Sequence, residues 1–186
     1  MRGKNDGKNY SMPGKGGERS IMKEDLARRS HQIHWPGEFR PEDASLFSHN
    51  ELHIEAPAEK IWRHLVDVER WPSWYPNSRN IRLLDDAVKL GAEVRWRWTT
   101  YGFAMESRVD EYVPTHRLAW YGYSPGFAPV FYHAWLLQPQ GNGVHVVTEL
   151  AGAGTVASEI RQADEGVMHR GHDLWLATLK WVSEGP

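Results

Sequence analysis

Between residues 79 and 151, turn residues cut the chain into six pieces of strand length: 79–84, 92–101, 104–113, 117–123, 130–138 and 143–151. The separators are Asp85-Asp86, Gly102, Pro114-Thr115, Ser124-Pro-Gly126 and Gln140-Gly-Asn-Gly143, all of turn type. Spacers this short force each strand to pair antiparallel with its predecessor, because a parallel crossover needs about a dozen residues or more. An earlier strand is read at Leu52 and Ile54, ahead of Ala56-Pro-Ala-Glu59. There Pro57 and Glu59 suit a helix start, and Ile61, Trp62, Leu65 and Val66 follow at helical spacing. Two prolines in Trp71-Pro-Ser-Trp-Tyr-Pro76 then impose turns or a second short helix. After Gly154 the period changes: Ile160, Asp164, Val167, Gly171, Leu174, Thr178 and Val182, flanked by Met168, Trp175 and Leu179, predict one helix of about 25 residues. A sheet of this size must cover one face, and that helix is the large amphipathic element left to do it. The expected fold is α+β: a curved antiparallel sheet wrapped around a long C-terminal helix, with two short helices after the first strand. A curved sheet and one helix touch along a line, so a cavity is expected beside the helix.

Composition narrows the partners. The chain is 40% apolar and 25% charged, within the globular range. Its formal net charge of -2 leaves no basic footprint for nucleic acid or an anionic membrane. It has no Cys, which removes disulfides, thiol nucleophiles and Cys-ligated zinc. The apolar stretch Phe127 to Leu137 contains Pro129 and His133 and is too short for a bilayer span of about 18 residues or more. No secretory apolar core opens the chain. These features predict a cytoplasmic protein with a small-molecule partner, no nucleic acid, no stable membrane insertion and no cofactor; the oligomeric state stays open, a homodimer included. Residues 1–45 hold nine of the 22 basic residues and six of the 17 Gly, with few large aliphatics, and read as a partly disordered or loosely docked arm ahead of a domain over 46–186. Within the arm, Met22 reads as an alternative start, and His31-Gln-Ile-His-Trp-Pro36 as a linker with a docking Trp35.

Glu51-Leu-His-Ile-Glu-Ala-Pro-Ala-Glu-Lys-Ile-Trp62, then Asp67 and Trp71-Pro-Ser-Trp-Tyr-Pro76, then the meander, resembles the START-like (SRPBCC) helix-grip superfamily, especially its polyketide cyclase/dehydrase and lipid-transport group. The likeness spans roughly 49–183. It implies a helix-grip fold with a hydrophobic pocket between sheet and long helix. Relatives use such pockets for lipid or sterol transport, hormone binding, aromatic polyketide cyclisation or partner binding by co-chaperones and ribosome-associated toxins. It implies no shared catalytic set, and fold alone does not give function.

Ten Trp against seven Tyr and five Phe is an unusual surplus. Alternation puts Trp96 and Trp98 on one face of their strand, with Arg95 and Arg97 on the other. The same logic turns Met105 and Ser107, Trp120, and Val146, Thr148 and Leu150 inward. These indoles either pack flat on a planar ligand or fill the core. Phe131-Tyr-His-Ala-Trp-Leu-Leu137 is apolar on both faces and has no readable orientation; if Phe131, His133 and Trp135 face inward, His133 becomes a polar group in an apolar wall, able to exchange a proton near neutrality. On the last helix, Glu165, His169 and His172 share one side, near Asp173, as a solvated or capping face, a cavity-mouth patch or a metal site lacking its remaining ligands. Met168 and Trp175 belong to the face that meets the sheet. The ligand-binding set is therefore Trp96, Trp98, Met105, Ser107, Trp120, Phe131, His133, Trp135, Thr148, Met168, His172 and Trp175, with no catalytic residue assigned and no metal. Arg95, Arg97 and Arg108 are expected to pair with Glu106 and Asp110 on the solvent face. No nucleophile elbow, phosphate loop or dinucleotide fingerprint is present. Three functions remain: binding or transport of a hydrophobic, aromatic or lipid-like molecule, a cyclase/dehydratase-type enzyme, and a protein-interaction module.

Overall fold

The structure, a computed structural model, describes residues 20–124 and 128–185. Helix α1 (Ile21–Arg28) and two 3-10 turns, Gly37–Phe39 and Pro41–Asp43, precede strand β1 (Leu46–Ile54). Helix α2 (Ala58–Val66) and a 3-10 segment, Val68–Ser73, come next. Strands β2 (Ser78–Leu83), β3 (Arg95–Thr100), β4 (Phe103–Val113), β5 (Arg117–Tyr123), β6 (Pro129–Gln140) and β7 (Gly143–Gly152) follow. The described chain ends in α3 (Gly154–Ala163) and α4 (Val167–Glu184).

The strands make one antiparallel sheet in the order β1-β7-β6-β5-β4-β3-β2. From β2 to β7 each neighbour is the next strand in sequence, which is the meander that the short spacers predict. The sheet curls around α4, with the short helical segments after β1, so the helix-grip fold is the fold of this chain. Its inner face follows the alternation: Trp96 and Trp98 are buried while Arg95 and Arg97 are exposed. Cross-strand register sets Ser48 opposite Leu150, Leu150 opposite His133, His133 opposite Trp120 and Trp120 opposite Val109. One row of the inner face thus brings β1, β7, β6, β5 and β4 together. On the outer face Arg97 meets Glu106 at 2.9 Å, Arg95 meets Asp85 at 2.8 Å and Arg108 meets Glu93 at 2.7 Å, all exposed pairs that contribute little each. Asp110, expected among these, instead accepts from the Tyr132 hydroxyl at 3.0 Å.

The C-terminal helix needs correcting. The single C-terminal helix is two, because Asp164 takes an extended backbone and its Oδ1 accepts from the Gly166 N–H at 3.2 Å, which turns the chain. At Gly166 a Cβ would sit 2.6 Å from Arg170 Nη1 and 2.7 Å from Ile21 Cδ1, so the absence of a side chain there leaves room for α1 against this elbow. The buried face of α4 is also displaced from the expected stripe: Met168, Gly171, His172, Trp175 and Leu179 are buried, whereas Leu174 is 39% exposed.

The described part of the arm is docked. Residues 20–45 are packed on the outer face of the sheet, where Met22, Ile33 and Phe39 form a second core with Phe47, Tyr132, Ala134, Leu136 and Val147. Trp35 docks there as expected, its ring 5.7 Å from that of Tyr132. Polar ties reinforce the packing. The Glu165 carboxylate accepts from the Ser20 hydroxyl at 2.8 Å and the Ile21 N–H at 3.0 Å, and buried Glu149 accepts from the Ser30 N–H at 2.6 Å. Residues 1–19 of the expected arm lie outside the described residues. Among the described residues no helix is long and apolar enough to cross a membrane.

Candidate functional site

The inner core divides into a filled half and a hollow half. Trp71, carried in by the 3-10 segment after α2, meets Trp98, Trp120 and Trp175 at ring-centroid distances of 5.4, 5.9 and 4.9 Å. Tyr75 stacks on Trp175 at 4.1 Å and 10°. Trp71 packs edge to face on Trp98 and Trp175, an arrangement that aromatic quadrupoles favour, and the cluster closes one end of the grip. Toward the other end the inner wall carries small residues, Ser107, Gly122 and Ser124. A Cβ on Gly122 would already crowd Met105 Cε at 3.3 Å. A cavity of about 340 Å³ is left, walled by β3 to β7, by α4 and, through Val156 and Ile160, by α3. Phe103 and Val156 are 57% and 46% exposed at its rim.

Polar groups in the wall are few and mostly paired. Ser107 Oγ accepts from the Trp98 indole N–H at 3.1 Å. His133 Nε2 lies 2.8 Å from Thr148 Oγ1, and His172 Nδ1 lies 2.8 Å from Ser48 Oγ. The two imidazoles face each other with centroids 4.6 Å apart. Both are fully buried. Loss of hydration pushes the His133 pKa well below its ordinary value, with the neighbouring His172 acting in the same direction. The same burial, reinforced by His169, pushes His172 down to about 3. Both rings are neutral at physiological pH.

Nine of the twelve expected site residues line this cavity: Trp98, Met105, Ser107, Trp120, Phe131, His133, Met168, His172 and Trp175. Three do not. Trp96 is fully buried behind the wall, edge-on to Trp71 and Trp120. Trp135 packs against Trp175 with centroids 5.2 Å apart, and Thr148 sits behind the lining as the hydroxyl partner of His133. Thr100, Tyr101, Phe103 and Ala104 were not anticipated, although Tyr101-Gly102, with φ of 49° and 84°, is the kind of two-residue turn that makes a hairpin tip and could have pointed to the mouth. Val156 and Ile160 were missed because the elbow before α4 was not read.

The expected grouping of Glu165, His169 and His172 comes apart. Glu165 lies in the elbow and caps α1, His169 pairs with buried Asp25 at 3.0 Å and with Asp173 at 3.5 Å, and only His172 reaches the cavity. Burial raises the Asp25 pKa, and His169 opposes that rise. Among the described residues no three His, Asp or Glu side chains converge as metal ligands would.

Comparison with known proteins fits this geometry. The family described as polyketide cyclase/dehydrase and lipid transport matches residues 48–173. The chain belongs to that family. A solved hypothetical protein of Helicobacter pylori is 29% identical, with a TM-score of 0.76, covering 84% of this chain and 98% of its own. The di-domain ARO/CYC StfQ from the steffimycin biosynthetic pathway gives a TM-score of 0.61 at 13% identity over 77% of this chain and 53% of its own. Ara h 8.0201 gives 0.55 at 14% identity over 75% and 98%. The last two show the shared fold alone. No curated protein matches the chain. Membership extends the resemblance read from the sequence into a family assignment, and the matched span contains all but one of the residues that line the cavity, Trp175.

Proposed function

We propose that this family member binds a ring-containing hydrophobic small molecule in the cavity between sheet and α4, as a carrier. The observation that carries this reading is the hollow itself: about 340 Å³, bounded by Trp98, Trp120, Phe131 and Trp175 beside a core otherwise packed with indoles. The volume is at the lower end of the range for small-molecule sites, about 300–1,000 Å³. The interaction-module reading called for a filled cavity, so the void supports a small-molecule function over it.

The cyclase/dehydratase reading draws on one specific observation, the facing imidazoles of His133 and His172. Acid–base catalysis works best with a pKa near the operating pH. Burial holds both rings far below neutrality, which favours binding over proton transfer. StfQ is named for aromatase/cyclase work, and its fold likeness keeps this as the second reading.

Titration with the uncharged dye N-phenyl-1-naphthylamine tests the carrier reading. Saturable 1:1 emission enhancement is expected, with His133→Ala changing affinity by no more than about 1–2 kcal/mol, the scale of one hydrogen bond. Linear, non-saturating enhancement would sink the reading. Turnover of a poly-β-ketone chain that disappears in His133→Ala while dye binding persists would move the protein to the second reading.

A further inference from the structure

We propose that the paired imidazoles of His133 and His172 give the cavity a hydrogen-bonding end that selects uncharged ligands of two to three fused rings bearing a hydroxyl or carbonyl, and rejects carboxylates of the same shape. This deepens, and rests on, the small-molecule reading of the cavity.

Size sets the skeleton. An engineered dry cavity of about 150 Å³ accepts one benzene, and this one is about 340 Å³. Two to three fused rings fill it, whereas an extended acyl chain would have to leave through the rim at Phe103 and Val156.

Charge sets the head group. Among the described residues that line the cavity none is Lys, Arg, Asp or Glu. The ionisable groups in the wall are Tyr101 and the two histidines, and burial keeps all three neutral at physiological pH. A carboxylate entering here would give up its hydration and meet no counter-charge, which is strongly unfavourable.

The hydroxyls behind the rings set the hydrogen bonding. A neutral imidazole has one donor and one acceptor nitrogen. Thr148 Oγ1 engages His133 Nε2, and Ser48 Oγ engages His172 Nδ1, each at 2.8 Å. A hydroxyl can give or take a hydrogen bond, so either tautomer of either ring is satisfied on its far side. The remaining nitrogens, His133 Nδ1 and His172 Nε2, can therefore present a donor or an acceptor as the ligand demands. That versatility suits a phenol or a ketone; a carboxylate could accept an N–H from each ring but would meet no full positive charge to offset its lost hydration.

Calorimetric titration at pH 7.5 with naphthalene, 1-naphthol and 1-naphthoate tests this without any variant. Naphthol is expected to bind about tenfold more tightly than naphthalene, the effect of roughly one net hydrogen bond, and naphthoate at least tenfold more weakly than naphthalene. His172→Leu should bring the ratio of naphthol to naphthalene affinity close to one, whatever it does to either affinity alone; Ser48→Ala, read by the same ratio, serves as the second variant if that protein does not fold. Naphthoate binding as tightly as naphthol, or naphthol binding no better than naphthalene, overturns the proposal while naphthalene binding preserves the cavity as a small-molecule site. If none of the three binds, the small-molecule reading falls with it.

Discussion

Acidifying the protein should expose the cost of its two buried imidazoles, and replacing one of them isolates that cost. An unfolded histidine takes up a proton around its ordinary value of 6.5, whereas folded His172 resists protonation down to about 3 because burial strips the imidazolium of hydration. A folded-state pKa below the unfolded one means stability that is present above 6.5 and lost as the pH falls toward the folded value. The unfolded state binds more protons throughout that window, so stability declines with falling pH. At pH 5.5 the unfolded ring carries about 0.9 proton, which gives a slope of about 1.2 kcal/mol per pH unit. Between pH 7.5 and 4.5 the loss from His172 alone integrates to about 2.5 kcal/mol, and His133, also held below its ordinary value by burial, acts in the same direction. For a domain with a total stability of about 5–15 kcal/mol, this is a large fraction. Urea unfolding followed by tryptophan emission at half-unit pH steps measures it. His172→Leu should start at a different stability, because Ser48 loses its hydrogen-bond partner, but should fall about 2.5 kcal/mol less over the same window. Asp25, whose pKa burial raises, contributes in the opposite sense below its folded value, and it does so equally in both proteins. Parallel stability curves for wild type and variant would refute the claim that His172 is buried and neutral.

Other substitutions read the rest of the site. Ser107→Ala leaves the buried Trp98 indole N–H without its acceptor and should cost about 1–3 kcal/mol in chemical denaturation. Gly171→Ala would normally favour a helix by about 0.5–1 kcal/mol; here the new Cβ would lie 1.6 Å from the Tyr101 hydroxyl, so a net loss of about 1–2 kcal/mol is expected, reversing to a gain in a Tyr101→Ala background when both are compared by thermal melting. Glu149→Leu removes the acceptor shared by the Ser30 N–H and His49 Nδ1, and should cost about 2–4 kcal/mol while accelerating amide hydrogen exchange across α1.

Much of this was legible in the residues because the local signals agreed with the fold. Short turn spacers dictated the meander, and strict alternation in Arg95-Trp-Arg-Trp98 placed the indoles inward. Legibility failed where a strand is buried on both sides. Tyr132, Ala134 and Leu136 are apolar because residues 20–45 cover the outer face, while Phe131, His133 and Trp135 face inward, so β6 carries no period to read. The same double burial, together with the docking Trp35, was the sign in the sequence that the arm packs on the sheet. The helical stripe misled for a related reason. It ran through Asp164 as though the helix continued, but the elbow resets the phase, and His172 and Trp175 rather than Leu174 face the sheet. The split between indoles that fill and indoles that line was beyond sequence reasoning, because Trp71 reaches the centre of the cluster from a segment whose position depends on tertiary packing.

Methionine methyl NMR tests the central claim most directly. Met105 and Met168 line the cavity, whereas Met22 is buried under α1 on the opposite face of the sheet. With ¹³C-methyl methionine labelling and naphthalene titrated in, ring-current shifts of Met105 and Met168 that saturate together at one equivalent, with Met22 unmoved, are the expected result. Unshifted Met105 and Met168 methyls at saturating naphthalene, or shifts confined to Met22, would contradict a ligand cavity between the sheet and α4.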